Sequence, residues 1–139
     1  MRVSSIVLAT LALLALSSCS ARVRHGYGGG GVPMEVQIVH SVAEAAAAVE
    51  AGAIVCDLRV YDEWAQGHLP RARLVAIPDL EQGRGLPEDL ETVILYYGDG
   101  PLDTRPEQAA EIAAELGYTR IMLFPGGWRA WNGVHPVAD

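Results

Sequence analysis

The sequence predicts a single α/β domain built as a parallel sheet with helices on both faces. Three observations predict it. Ala53–Leu58 (AIVCDL) and Thr92–Tyr97 (TVILYY) are continuous apolar runs stopped by polar loops, the pattern of strands buried on both faces. Segments with capped helix starts and glycine stops lie between and beside these runs. Finally, the chain has 139 residues, 50% of them hydrophobic, which suits one compact core and leaves no room for two.

Residues 1–18 read as a lipoprotein signal peptide. Arg2 supplies a positive start, and the apolar run Val3–Leu16 is too short for the ~20 residues of a membrane-spanning helix. Leu16-Ser17-Ser18-Cys19 resembles the lipobox at which bacterial lipoproteins are cut. That resemblance implies cleavage before Cys19 and acylation of that residue, palmitate being one such chain. Ser20, where an inner-membrane retention signal places Asp, implies sorting to the periplasmic face of the outer membrane. An ordinary signal peptide with Cys19 incidental is the alternative. Two or more acyl chains, at ~0.8 kcal/mol per buried CH₂, would make a stable anchor. Residues 19–34 carry no apolar periodicity and read as a flexible Gly-rich tether, about 20 Å in root-mean-square span.

The domain is expected over residues 35–139. Val36, Ile38 and His40 alternate as a short strand. Ser41-Val42-Ala43-Glu44 is a capping box that opens an Ala-rich helix, and Gly52 ends it. Ala53–Leu58 is the first central strand, and Tyr61–Gln66 forms a short helix with Gly67 as its stop. Leu74–Ile77 reads as another short strand, after which Pro78 opens a turn. Residues 79–91 read as a polar surface connection with a helical turn. Thr92–Tyr97 is the second central strand, followed by the loop GDGPLDT. Thr104-Arg105-Pro106-Glu107 is expected to cap a helix through Leu116, with Gly117 as its stop. Arg120–Phe124 makes the last strand. Gly126 and Gly127 then lead a short turn bearing Trp128 and Trp131.

The balance of charge excludes several chemistries. Ten basic residues, all of them Arg, stand against 17 acidic ones, for a net charge of −7. Phosphate contacts need a basic face, so nucleic acid is not the expected partner. With no Lys, P-loop and Schiff-base mechanisms are excluded. No Ser follows Ser41, so a serine nucleophile in the domain is excluded as well. The four His, at 25, 40, 68 and 135, have neither i, i+4 partners nor carboxylates at ligand spacing, so neither a metal site nor a cofactor is expected.

Parallel sheets place ligands at the carboxyl ends of their strands, which directs attention to Asp57–Arg59 and to Tyr97–Arg105. At these loops the sequence resembles the rhodanese-like domain family. Ile54-Val55-Cys56-Asp57-Leu58-Arg59 is similar to the family strand that ends in Asp-x-Arg. Glu63-Trp64 and Gly67-His68-Leu69-Pro70-Arg71-Ala72 resemble its Glu-aromatic and Gly-His-Ile-Pro-Gly-Ala stretches. Leu116-Gly117-Tyr118 and Phe124-Pro125-Gly126-Gly127-Trp128, with Trp131 and Pro136-Val137, match its C-terminal end. The resemblance spans about residues 36–137 and implies that fold.

It also implies a sulfurtransferase site, with one departure. Catalytic members end the strand matching Thr92–Tyr97 in Tyr-Cys, and that Cys carries the transferred sulfur as a persulfide. Here the pair is Tyr96-Tyr97. A phenol, with pKa about 10, is protonated where a thiol near 8.5 is readily tuned, and its oxygen forms no stable equivalent of an S–S bond. Asp99 and Asp103 outnumber Arg105 in the loop, which disfavours an anionic sulfur donor such as thiosulfate. Cys56 lies inside an apolar strand and reads as a packing residue. The resemblance implies that Asp57 and Arg59 are a structural pair that holds the wall of the site together; His68 reads as a backbone-bonding turn residue, and the tryptophans as packing anchors.

Three readings follow. The first is a lipid-anchored, monomeric binding module without sulfurtransferase activity, whose pocket is formed by Asp57, Arg59, Tyr97, Gly98, Asp99, Gly100 and Arg105. It would take a small molecule or a protein. The second is an active thiosulfate sulfurtransferase that uses Cys56 or another mechanism. The third is a structural scaffold at the membrane.

Overall fold

A computed structural model describes the backbone of Arg22–Val23 and residues 34–135. Six strands form one sheet in the order β1-β2-β6-β5-β3-β4. They are β1 (Arg22–Val23), β2 (Glu35–Ile38), β3 (Ile54–Asp57), β4 (Arg73–Leu74), β5 (Ile94–Tyr97) and β6 (Arg120–Phe124). The helices are α1 (Val42–Glu50), α2 (Tyr61–Gln66), α3 (Ile77–Glu81), α4 (Arg105–Glu115) and α5 (Gly127–Val134). The five strands β2 to β6 run parallel, and β1 pairs antiparallel with β2. The expected parallel sheet with helices on both faces is therefore present.

The sheet alternates its side chains between two cores. Cys56, Ile94, Tyr96, Ile121 and Leu123 face α3 and α4, while Val55, Leu95, Tyr97 and Phe124 face the side that holds α1 and Trp131 of α5. Small residues on α4 (Ala109, Ala110, Ala113) are buried against the first core, so the helix backbone approaches the sheet closely. Register puts Asp57 opposite Tyr97 and Tyr97 opposite Phe124, which brings three strand ends to one margin of the sheet.

Local chemistry accounts for most boundaries. Ser41 Oγ accepts from the Glu44 N–H at 3.2 Å, and the Glu44 carboxylate accepts from the His40 N–H at 2.9 Å. Gly52 takes φ +93°, a left-handed turn that L side chains resist, and the chain leaves α1 there. β2 ends at Ile38, so His40 belongs to the turn before α1 and not to the strand.

Four expectations are corrected. Leu74–Ile77 is not a strand: β4 ends at Leu74, and Ile77–Glu81 is helical. Pro78 sits in the first turn of that helix instead of opening a turn, because at that position its missing N–H costs nothing. Thr104 makes no side-chain cap, and Asp103 takes the Arg105 N–H instead, at 3.1 Å. The stretch after Gly126 is an eight-residue helix. It has no side-chain N-cap to announce it. Its Trp128 and Arg129 N–H groups are satisfied by the Gly98 and Asp99 carbonyls, each at 2.9 Å, from a loop far away in sequence. Within the stretch read as a tether, Arg22–Val23 pairs with Gln37 and Val36; the rest of it and the signal peptide lie outside the described residues.

Candidate functional site

Asp57 closes β3 and is wholly buried; Arg59, two residues on, is 4% exposed. A buried carboxylate needs a cation and hydrogen bonds together. Arg59 supplies both. Its Nη2 donates to Asp57 Oδ2 at 2.7 Å, its Nε to Oδ1 at 3.1 Å, and its backbone N–H to Oδ1 at 2.9 Å. The same Nη2 donates to the Gly67 carbonyl at 2.7 Å, tying the end of α2 to the pair. The guanidinium also lies 4.9 Å from the Trp128 ring centroid, a cation–π contact that reaches α5. Burial opposes the Arg59 charge, but its bonds to Asp57 outweigh that and raise its pKa.

Tyr97 completes this cluster. Its side chain is fully buried, its hydroxyl donates to Asp57 Oδ2, and its oxygen accepts from the Leu69 N–H at 3.1 Å. Burial, then the Asp57 carboxylate, pushes the phenol upward in pKa, so it stays neutral at ordinary pH. A neutral phenol with its hydroxyl committed in both directions is a strut between β3, β5 and the α2–β4 connection. It presents no oxygen nucleophile.

A second Asp-x-Arg repeats the arrangement one loop away. Asp103 Oδ1 accepts from the Arg105 N–H at 3.1 Å and from Arg105 Nε at 2.8 Å; its Oδ2 accepts from Arg105 Nη2 at 2.6 Å. Oδ2 also takes the Asp99 N–H at 2.8 Å. The bonds from Arg105 are the main reason the Asp103 carboxyl titrates down at about 2. Backbone N–H groups turned toward one point make a ready site for an anion, and here the chain's own carboxylate occupies it. Gly98 makes this possible: a Cβ there would lie 2.1 Å from Asp103 Oδ2.

Above these groups is an open depression of about 520 Å³, lined by Glu63, Asp99, Gly100, Pro101, Leu102, Asp103, Arg105 and Arg129. Arg129 Nε pairs with Asp99 Oδ2 at 2.7 Å. Of the seven residues expected to form the pocket, Asp99, Gly100 and Arg105 line it. Asp57, Arg59 and Tyr97 do not, which corrects their expected place on its wall: their polar atoms bond one another inside the domain. Gly98 is buried beside Asp103. Sequence reasoning did not assign Arg129 to the site, and Leu102, inside the expected Tyr97–Arg105 loop, was not singled out. Arg129 arrives only because α5 docks on the loop, a contact between distant segments that no local pattern encodes. The repeated Asp-x-Arg was a usable signal for Asp103.

Cys56 is fully buried and faces the opposite core from Tyr97; burial is the chief cause that raises its thiol to about 12. It is a packing residue. His68 Nδ1 lies 2.9 Å from the Trp64 carbonyl and its ring stacks on Trp64, as expected of a turn residue. Trp64 Nε1 donates to the Ala72 carbonyl at 3.2 Å. Among the described residues no three His, Cys, Asp or Glu side chains converge to hold a metal ion, and no helix is long and apolar enough to cross a membrane. Cys19 lies outside the described residues.

Comparison with known proteins matches residues 41–133 to the rhodanese-like domain family. No curated protein sequence matches. Among solved structures, the human single-domain sulfurtransferase TSTD1 is similar at 23% identity and TM-score 0.58, over 78% of this chain and 100% of that one. The Alr3790 protein from Anabaena sp. aligns at 21% identity and TM-score 0.59, over 73% of this chain and 81% of its own. The BH2092 protein from Bacillus halodurans aligns at 24% and 0.58, over 70% and 72%. At these identities the likeness is one of fold.

Proposed function

This chain belongs to the rhodanese-like domain family, and from that premise we propose that it is a non-catalytic binding module, anchored to the periplasmic face of a bacterial outer membrane through acylated Cys19. The observation that carries the reading is the end of β5. Where catalytic relatives are expected to present a thiol, Tyr97 is buried and its hydroxyl is bonded to Asp57 and Leu69. Sulfur transfer of the kind for which human TSTD1 is named needs a thiolate that can form and break an S–S bond. The domain's one thiol, Cys56, is buried on the other face and protonated. The adjoining loop is filled by the Asp103 carboxylate, so an anionic donor would have to displace it.

The experiment is sulfur transfer from thiosulfate to cyanide by the purified protein. No turnover above buffer is expected for the wild type, and none for Cys56→Ser. Wild-type turnover abolished by Cys56→Ser would overturn the reading in favour of an unusual sulfurtransferase. Folded protein should also resist a thiol-labelling reagent at Cys56 until denaturant is added. Anchoring is tested separately: Cys19→Ser should move the protein from the membrane to the soluble fraction of cells. Retention of that variant in the membrane would remove the lipid from the account.

A further inference from the structure

Arg84 differs from the other arginines of the domain in what surrounds its peptide bond. Residues 82–85 are all exposed and leave α3 for a connection that reaches β5 only at Ile94. Among the described residues, no hydrogen bond begins or ends on the backbone of Gly85, Leu86 or Glu88. Between them the Tyr118 hydroxyl donates to the Pro87 carbonyl, and half-buried Leu86 leans on the core beside α3 and α4. Gly83 and Gly85 flank Arg84 without side chains. Its guanidinium is held by an exposed pair with Asp79, Nη2 to Oδ1 at 2.6 Å, which costs little to break.

A protease needs an exposed segment that it can draw out, so burial and backbone hydrogen bonds decide where it cuts. The chain has no Lys, and its other arginines in the described domain are protected. Arg59 is buried, while Arg73 and Arg120 lie in strands. Arg105 and Arg129 lie in helices and pair with Asp103 and Asp99. Arg71 is held in its turn by the Val49 carbonyl, and the next N–H, of Ala72, is bonded to the Leu69 carbonyl.

Strand order sets the consequence of a cut at Arg84. Residues up to Arg84 supply β2, β3 and β4, and residues from Gly85 supply β5 and β6. In the sheet, β6 and β5 lie between β2 and β3, so a parallel ladder on each flank joins one piece to the other. The Tyr97 hydroxyl on Asp57 and the Trp128 ring beside the Arg59 guanidinium cross the same division.

We propose that Arg84–Gly85 is a processing site for an arginine-specific serine protease, and that the cut domain stays assembled as two interlocked pieces. Water adds across the amide, leaving a carboxylate on Arg84 and an ammonium group on Gly85. All of the lining of the depression except Glu63 falls in the second piece, and Cys19 in the first. On the anchored reading, on which this one consequence rests, the cut makes the link between lipid and depression releasable.

The test is limited trypsin digestion of the folded protein, read by mass spectrometry. Within residues 34–135 the first cut should follow Arg84, about tenfold faster or more than after any other Arg, because opening that stretch breaks few bonds. The pieces should co-elute on gel filtration and part in denaturant. Arg84→Gln should remove the early cut with no change in Tm, since the pair it loses is exposed. Adding Glu88→Arg to that variant should bring an early cut back, further along the same stretch. A first cut after another Arg of residues 34–135, equal rates for wild type and Arg84→Gln, or no recovery with Glu88→Arg would overturn the proposal. So would pieces that separate without denaturant. Cut on isolated membranes, the second piece should sediment with them and leave in urea. Protein absent from the membrane fraction but cut and assembled as described sinks only the anchor.

Discussion

Tyr96 and Tyr97 are neighbours on β5 that project into opposite cores, one hydroxyl unpartnered and the other bonded twice. Removing each should have opposite consequences. Tyr97→Phe strips the Leu69 N–H and Asp57 of a partner inside the protein, and should cost about 1–3 kcal/mol in urea unfolding. Tyr96→Phe deletes a hydroxyl with no protein partner, and should leave stability unchanged or raise it by up to about 1 kcal/mol. Equal losses from both would mean the hydroxyl of Tyr97 is not a strut. Asp103 carries a pH signature. Its folded pKa of about 2 lies below the ordinary 3.8, so its contribution is full above 3.8 and is lost as pH falls toward about 2. Urea midpoints measured across that window should fall for the wild type, and Asp103→Asn should flatten the fall while lowering stability at neutral pH.

Among the elements, α5 is the one whose placement depends most on contacts remote in sequence. Gly127 enters it at φ +58°, and a Cβ there would lie 2.5 Å from the Gly98 carbonyl oxygen. Gly127→Ala should therefore destabilise by about 1–3 kcal/mol and disturb the loop as well. Hydrogen exchange at Trp128 and Arg129 would show this directly, and unchanged protection there would contradict it. Arg71 offers the converse case. It holds φ +61° where the related stretch has Gly, and its guanidinium donates to the Val49 carbonyl at 2.5 Å. Both Arg71→Gly and Arg71→Ala lose that bond, so their difference isolates the backbone. The Gly variant should be more stable by about 1 kcal/mol in thermal or urea unfolding. What the sequence made legible follows the same division. The central strands, α1 with its capping box, α2 and α4 follow from local signals: apolar runs, caps and glycine stops. The helices at Ile77 and Gly127 escaped because Pro and Gly at their starts suggest turns, and because the partners of α5 come from across the fold. The site was half legible for the same reason. Asp57 and Arg59 were expected as a structural pair from the resemblance of their strand end to the family motif, but the burial of Tyr97 and the arrival of Arg129 depend on tertiary packing.

On the scale of the whole molecule, a net charge of −7 with no Lys sets the response to salt. Self-repulsion of the surplus carboxylates should ease as ionic strength rises from about 10 to 150 mM, lifting Tm by roughly a few degrees. Differential scanning fluorimetry would show the trend, and a falling Tm would mean that exposed pairs such as Asp79–Arg84 outweigh the repulsion. The order of the strands has a further effect. Its outermost members, Arg22–Val23 and Arg73–Leu74, are only two residues long, and Arg73 is exposed. Stubs of that length offer a neighbouring molecule almost no ladder on which to add a strand. The protein can therefore be crowded onto a surface without zipping into sheets, and deleting the first stub, which uncovers the four-residue flank of β2, is the change that would make it sticky.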